Sequence, residues 1–121
     1  NFRRRTAKEK LEAYGDATAK CILELLPVID NFERAVNAAC TDESYHAGMV
    51  MIQTQLTSFL TKMGVTEIEA LGAPFDPKIH QAIKSVPASE EFSEGTVCEV
   101  FQKGYMLGER LVRPVMVAVA G

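Results

Sequence analysis

A chain of 121 residues, 47% hydrophobic and 24% charged, has the composition of an ordered protein. It has room for about one ordinary domain, or for two small units sharing their stability with a partner. The net charge of −3 argues against a dedicated nucleic-acid binder, and neither a signal peptide nor an apolar run near the roughly 18 residues of a bilayer span is visible.

The chain opens on Asn1-Phe2-Arg3-Arg4-Arg5, without Met and already inside a helical pattern, so a fragment lacking its natural N-terminus is expected. A heptad follows. Leu11, Thr18, Leu25, Phe32 and Ala39 recur every seven residues, with Tyr14, Cys21, Val28 and Ala35 beside them. Three-four spacing of this kind is the seam of a supercoiled helix. From Ile22 a third stripe, Ile22, Ile29 and Val36, widens the seam to the face of a bundle helix. Pairing near the N-terminus is therefore expected to give way to a bundle. Pro27 predicts a kink or short break near Glu24–Leu26, and the phase of the heptad across it favours a kink. A helix reaching to about Ala39 would be roughly 60 Å long and cannot fold back on itself. It needs another molecule.

Residues Thr41–Ser44 read as a polar loop, with Ser44 or Asp42 as the cap of a second helix. Met49, Ile52, Leu56, Phe59, Leu60 and Met63 give that helix an apolar face, and Lys62 and Gly64 mark its end. The two amphipathic segments form a helical hairpin, and two copies make a four-helix bundle. The predicted dimer interface, running from the paired helix into the bundle, is Leu11, Tyr14, Thr18, Cys21, Leu25, Val28, Ile29, Phe32, Val36, Ile52, Leu56 and Phe59. Gly48 costs a helix about 0.5–1 kcal/mol relative to Ala, which is tolerated near a helix start or signals close approach by another backbone.

After Gly64 the pattern changes, dividing a dimerising helical region (1–64) from a β unit (65–121). Short strands are expected over Val65–Ala70, Thr96–Lys103, Tyr105–Leu107, Leu111–Val112 and Val115–Val119, separated by Gly, Pro and polar residues, while Ala82–Val86 reads as a strand or a turn of helix leading into one. In Thr96–Lys103 simple alternation places Val97, Glu99, Phe101 and Lys103 on one face. The glycines of Gly104-Tyr105-Met106-Leu107-Gly108 read as a turn between strands, since no Lys-Ser/Thr follows to make a phosphate loop. Residues 1–63 carry 8 basic and 8 acidic side chains against 5 and 8 in 64–121, so the acidic excess lies in the β unit.

His46 and His80 belong to no recognisable nucleophile or metal motif, and Glu90-Glu91 lies in a polar loop. No catalytic site, metal site or cofactor is predicted. Cys21, Cys40 and Cys98 are odd in number and form no CxxC pair, so free thiols in a reducing, cytoplasmic compartment are expected. Arg3–Arg5 suits phosphate contacts or a solvated helix start, and Glu9 and Glu12 nearby favour the latter. Arg110 and Arg113 suit an interface anchor or pairing with Glu99 or Glu109.

Beyond these local readings stands a set of ordered pieces: Asn1–Arg5; Glu24-Leu25-Leu26-Pro27-Val28-Ile29-Asp30-Asn31 with Glu33-Arg34-Ala35; Gly64-Val65; and Phe75-Asp76-Pro77 with His80-Gln81-Ala82. Then come Gly95-Thr96-Val97, Gln102-Lys103-Gly104-Tyr105 with Leu107, and Arg110 through Arg113-Pro114 and Met116-Val117. In this order and spacing they resemble the GrpE family of nucleotide exchange factors across essentially the whole chain. The resemblance implies an α+β fold: a parallel homodimer with a long coiled-coil helix, a four-helix bundle and a small all-β wing on each chain. It also implies a bacterial-type cytoplasmic co-chaperone whose wing holds open the nucleotide-binding domain of a DnaK-type chaperone, so that ADP leaves and ATP enters. The chaperone contacts it implies are Arg3, Arg34 and Gly48 on the helices and Phe75, Pro77, Phe101 and Arg110 on the wing. Phe101 departs from the smaller or unbranched aliphatic residues common there, and Gly15 is a poor helix former within the paired helix. An adaptor whose β unit binds another protein is the alternative, and a nucleic-acid-associated dimer using Arg3–Arg5 is a third class that the acidic β unit disfavours.

Overall fold

The computed structural model describes residues 2–121; Asn1, in the Asn-Phe-Arg-Arg-Arg opening, lies outside the described residues. Two helices, α1 (Phe2–Asn37) and α2 (Glu43–Lys62), precede six strands. These are β1 (Val65–Glu67), β2 (His80–Val86), β3 (Val97–Gln102), β4 (Tyr105–Leu107), β5 (Arg110–Arg113) and β6 (Val115–Ala120). The chain divides into two compact units, Asn1–Leu56 and Thr57–Gly121, so the last turns of α2 belong with the strands.

With 36 residues α1 is about 54 Å long. It runs through Pro27 without the break that the proline allows near Glu24–Leu26, and Pro27 itself is exposed. Its end at Asn37 falls short of Ala39. There the Ala38 N–H donates to the Arg34 carbonyl at 3.0 Å, and His46 Nε2 donates to the Val36 carbonyl at 2.8 Å. A helix leaves its last carbonyls open, and these contacts close two of them. Arg34 in the last turn also favours the negative end of the helix dipole.

The second helix begins one residue after Asp42, inside the predicted loop. Asp42 Oδ1 accepts the Tyr45 N–H at 3.0 Å, so Asp42 rather than Ser44 is the N-cap. At the other end Gly64 has φ 84° and donates to the Thr61 carbonyl at 3.0 Å, the left-handed stop that its position predicts.

Of the three stripes on α1, the single chain covers mainly the third. Ile22 and Ile29 are buried, together with Leu26, which belongs to no predicted stripe. Leu11 and Tyr14 remain 74% and 78% exposed, and Val28 46%.

The strands make two three-stranded sheets. One has the order β1-β4-β5, antiparallel throughout, with β4 and β5 joined by the two-residue turn Gly108-Glu109. The other has β6 at its centre, parallel to β2 and antiparallel to β3. The core is Ala70, Val97, Val115 and Val117, with Ile68, Phe75, Val100 and Val119 packed around it. As the central strand, β6 is almost continuously buried, which is why it reads as an apolar run.

Strand β3 does not keep simple alternation. Its register against β6 slips between Val97 and Glu99 and again between Val100 and Gln102. A bulge inserts a residue and inverts the facing beyond it. Val97 and Val100, on opposite faces of a regular strand, thus both reach the core, while Glu99 and Phe101 are exposed.

Gly104 is no turn glycine. It lies where the chain leaves β3 in one sheet for β4 in the other, and Pro114 marks the return from β5 to β6. The two crossings touch. A β-carbon on Gly104 would lie 2.5 Å from Val115 N and 2.7 Å from the Pro114 carbonyl carbon. Arg113 Nε donates to the Lys103 carbonyl at 2.7 Å across the same junction.

Candidate functional site

The segment Phe75-Asp76-Pro77 is held by hydrogen bonds that converge on Asp76. Its side-chain Oδ1 accepts the Lys78 N–H at 3.0 Å, and its carbonyl accepts the Ile79 and His80 N–H groups at 3.1 and 2.8 Å. Its own N–H donates to His80 Nδ1 at 3.0 Å. Proline at the next position fixes φ and needs no acceptor for its nitrogen, which suits a tight turn. Phe75 is half-buried against the core and its ring centroid lies 5.8 Å from that of His80. Pro77 is exposed.

His80 is 5% exposed, and its Nε2 has no hydrogen-bond partner among the described residues. Because Nδ1 accepts, the neutral ring carries its proton on Nε2. A buried donor left unpaired costs about 1–3 kcal/mol.

Register brings Phe101 to the same end of the sheet. Strand β2 pairs His80 with Val115 and Gln81 with Met116, while β3 pairs Gln102 with Met116 and Val100 with Val117. Phe101 and the turn feeding β2 therefore flank the first residues of β6 from either side, two strand spacings or about 10 Å apart. Phe101 is 45% exposed.

Arg110 is placed elsewhere, at the hairpin end of β5 opposite Leu107 in the other sheet, and is half-buried. Arg113 is a structural residue. It is buried, its guanidinium sits 5.6 Å from the centre of the Tyr105 ring, and Nε is held by Lys103. Lys103 in turn meets Glu67 at 3.4 Å in a half-exposed ion pair. Such pairs contribute about 0–1 kcal/mol.

On the helices, Arg3 and Arg34 are exposed. A β-carbon added to Gly48 would meet nothing among the described residues within 4 Å. Among the predicted dimer residues, Leu11, Tyr14, Cys21, Val28, Ile52 and Phe59 are exposed in the single chain. Thr18, Leu25, Phe32, Val36 and Leu56 are half-buried, and Ile29 is already buried.

Three residues absent from the sequence-derived site are thus prominent: His80, Gly104 and His46. The four-residue spacing of Asp76 and His80 around a proline was the available signal for the first. Among the described residues, no group of three or more His, Cys, Asp or Glu is placed to hold a metal ion. No described helix is long and apolar enough to cross a membrane. Cys21, Cys40 and Cys98 are free thiols.

The family model for GrpE matches residues 1–121. The chain is 42% identical over 120 residues to the protein GrpE of Pediococcus pentosaceus, covering 99% of this chain and 63% of that one. It is 46% identical over 122 residues to protein GrpE of a Bacillus cereus strain, covering 98% and 64%. Against protein GrpE of Parageobacillus thermoglucosidasius the identity is 45% over 123 residues, with 99% and 54% covered. The chain spans less than two thirds of the length of each of these relatives. Two helices followed by a two-sheet β unit, matched by one family model from end to end, make this chain a member of the GrpE family.

Proposed function

We propose that the chain is a nucleotide exchange factor for a DnaK-type chaperone, working as a parallel homodimer in the bacterial cytoplasm, where its three thiols stay reduced. The observation that carries this reading is the match to the GrpE family over residues 1–121. Exposed apolar residues on both helices, from Leu11 and Tyr14 to Ile52 and Phe59, suit a second copy pairing along the coiled-coil helix and closing a four-helix bundle.

The β unit is the wing. Phe75, Pro77, Phe101 and Arg110 contact the nucleotide-binding domain, and Arg3, Arg34 and Gly48 add contacts from the helices. Binding is tighter to the open, nucleotide-free state, so the population shifts toward it and ADP leaves. No side chain need form or break a bond. The factor acts by binding alone, and no cofactor is required.

The test is release of labelled ADP from a DnaK-type chaperone with and without this chain. Release should accelerate with factor concentration and saturate. Release at the unassisted rate, at concentrations where the chain is dimeric, would overturn the reading.

A further inference from the structure

We propose that His80 is a positioning residue of the wing, holding the Phe75–Pro77 turn in the geometry that meets the chaperone. This rests on the exchange-factor reading above and assigns a role to a residue outside the proposed contacts. At 5% exposed, His80 has almost no surface to offer a partner. What it offers is an acceptor. Its Nδ1 takes the Asp76 N–H at 3.0 Å, and its ring lies 5.8 Å from that of Phe75. Two of the four wing contacts, Phe75 and Pro77, are the immediate neighbours of Asp76.

The unpaired Nε2 separates positioning from mere stability. A core position that served packing alone would do better with an apolar side chain, which buries no orphan donor. The imidazole instead directs one peptide N–H and closes the turn from inside, while Lys78 closes it from outside through Asp76 Oδ1. With the turn already fixed, binding need not order it. Affinity gains by that saving.

The experiment uses the whole chain and three variants. His80→Phe keeps a ring beside Phe75 and loses the acceptor. His80→Asn places a carbonyl oxygen near the Nδ1 position, and His80→Gln carries its amide one bond further out. Stimulated ADP release is measured against factor concentration, beside thermal melts and ¹⁵N spectra of the imidazole.

The unmodified chain should show an unprotonated Nδ1 and a protonated Nε2. His80→Phe should melt no lower than the unmodified chain, yet need about three- to tenfold more factor for half-maximal release, the scale of one hydrogen bond. The saturated release rate should not change. His80→Asn should recover most of the affinity and His80→Gln should not, a comparison that stands even if His80→Phe fails to fold.

The inference is overturned by unmodified affinity in His80→Phe, by losses that merely track the unfolded fraction, or by a proton on Nδ1. If the unmodified chain itself never accelerates release, the exchange-factor reading fails instead. The tautomer then still decides whether His80 holds the turn.

Discussion

Gly104 and Gly48 both lack a side chain in ordinary backbone conformations, and they differ in what a β-carbon would meet. At Gly104 it would meet backbone on two sides, Val115 N at 2.5 Å and the Pro114 carbonyl carbon at 2.7 Å. Neither can swing aside as a side chain could, because both belong to the junction where the chain changes sheets. Gly104→Ala should therefore destabilise the β unit by about 1–3 kcal/mol, the usual scale of overpacking. A urea melt with an unchanged midpoint would show that the two crossings can separate at no cost. At Gly48 the space is open within the chain, so Gly48→Ala should stabilise α2 by about 0.5–1 kcal/mol. If the proposed contact at Gly48 holds, Gly48→Asp should fold with an unchanged melt and bind a DnaK-type chaperone weakly, since bulk and charge would stand in the space left for the partner. Binding lost only in proportion to unfolded protein would make Gly48 a folding residue instead.

At the scale of elements, α1 is longer than its own chain can support. Isolated helices in water gain little from propensity alone, and most helical stability comes from packing an apolar face. Leu11 and Tyr14, at 74% and 78% exposure, have no such packing in the single chain. Leu11→Asp with Tyr14→Asp should cost the single chain little and raise the dissociation constant of the proposed dimer tenfold or more, one tenfold step being about 1.4 kcal/mol. Sedimentation equilibrium reads this directly, and dilution of the double variant should lower far-ultraviolet helicity sooner than dilution of the unmodified chain. An unchanged association constant would remove the N-terminal part of α1 from the interface. The sequence foretold this element well, because a heptad declares its period in every turn. It also foretold most of the strands, through β-branched runs punctuated by Gly64, Gly95, Gly108 and Pro114, although β1 stops at Glu67 short of Ala70 and the segment that became β2 read equally as a turn of helix. What it hid was relational. The slip between Val97 and Glu99 depends on β6, and neither residue announces it. The close approach of Gly104 to Pro114 is set by two sheet crossings that are ten residues apart in sequence. The bond from Asp76 to His80 Nδ1 follows from a turn whose residues look like any Asp-Pro corner. The wing contacts proposed at Phe75, Pro77, Phe101 and Arg110 rest on family resemblance, since Phe75, Pro77 and Phe101 taken alone read as core, turn or surface and Arg110 as either an anchor or an ion-pair partner.

For the molecule as a whole, a binding factor that drives out a nucleotide obeys reciprocity. If the chain weakens ADP affinity of its chaperone by some factor, ADP must weaken the chaperone's affinity for the chain by the same factor. A ligand that binds both states equally shifts nothing, however tightly it holds. The coupling between the proposed factor and ADP is therefore, on a logarithmic scale, the difference between two affinities that can be measured without following release. Titrating the chain onto the nucleotide-binding domain with and without ADP gives one ratio, and titrating ADP with and without saturating chain gives the other. The two should agree, with coupling of about 1–3 kcal/mol or more. Arg110→Ala sharpens the comparison. Arg110 sits at the hairpin end of β5, in a sheet that the Phe75–Pro77 turn and Phe101 do not share, so it tests a separate part of the wing. If it anchors the open state, its loss should lower affinity for the nucleotide-free domain and shrink both ratios together, while the dimer persists in sedimentation. Weakened binding with unchanged ratios would make Arg110 a contact common to both states, one that adds affinity and drives no exchange. Ratios that disagree in the unmodified protein would mean that ADP and the chain communicate through something other than one shared equilibrium between open and closed domain.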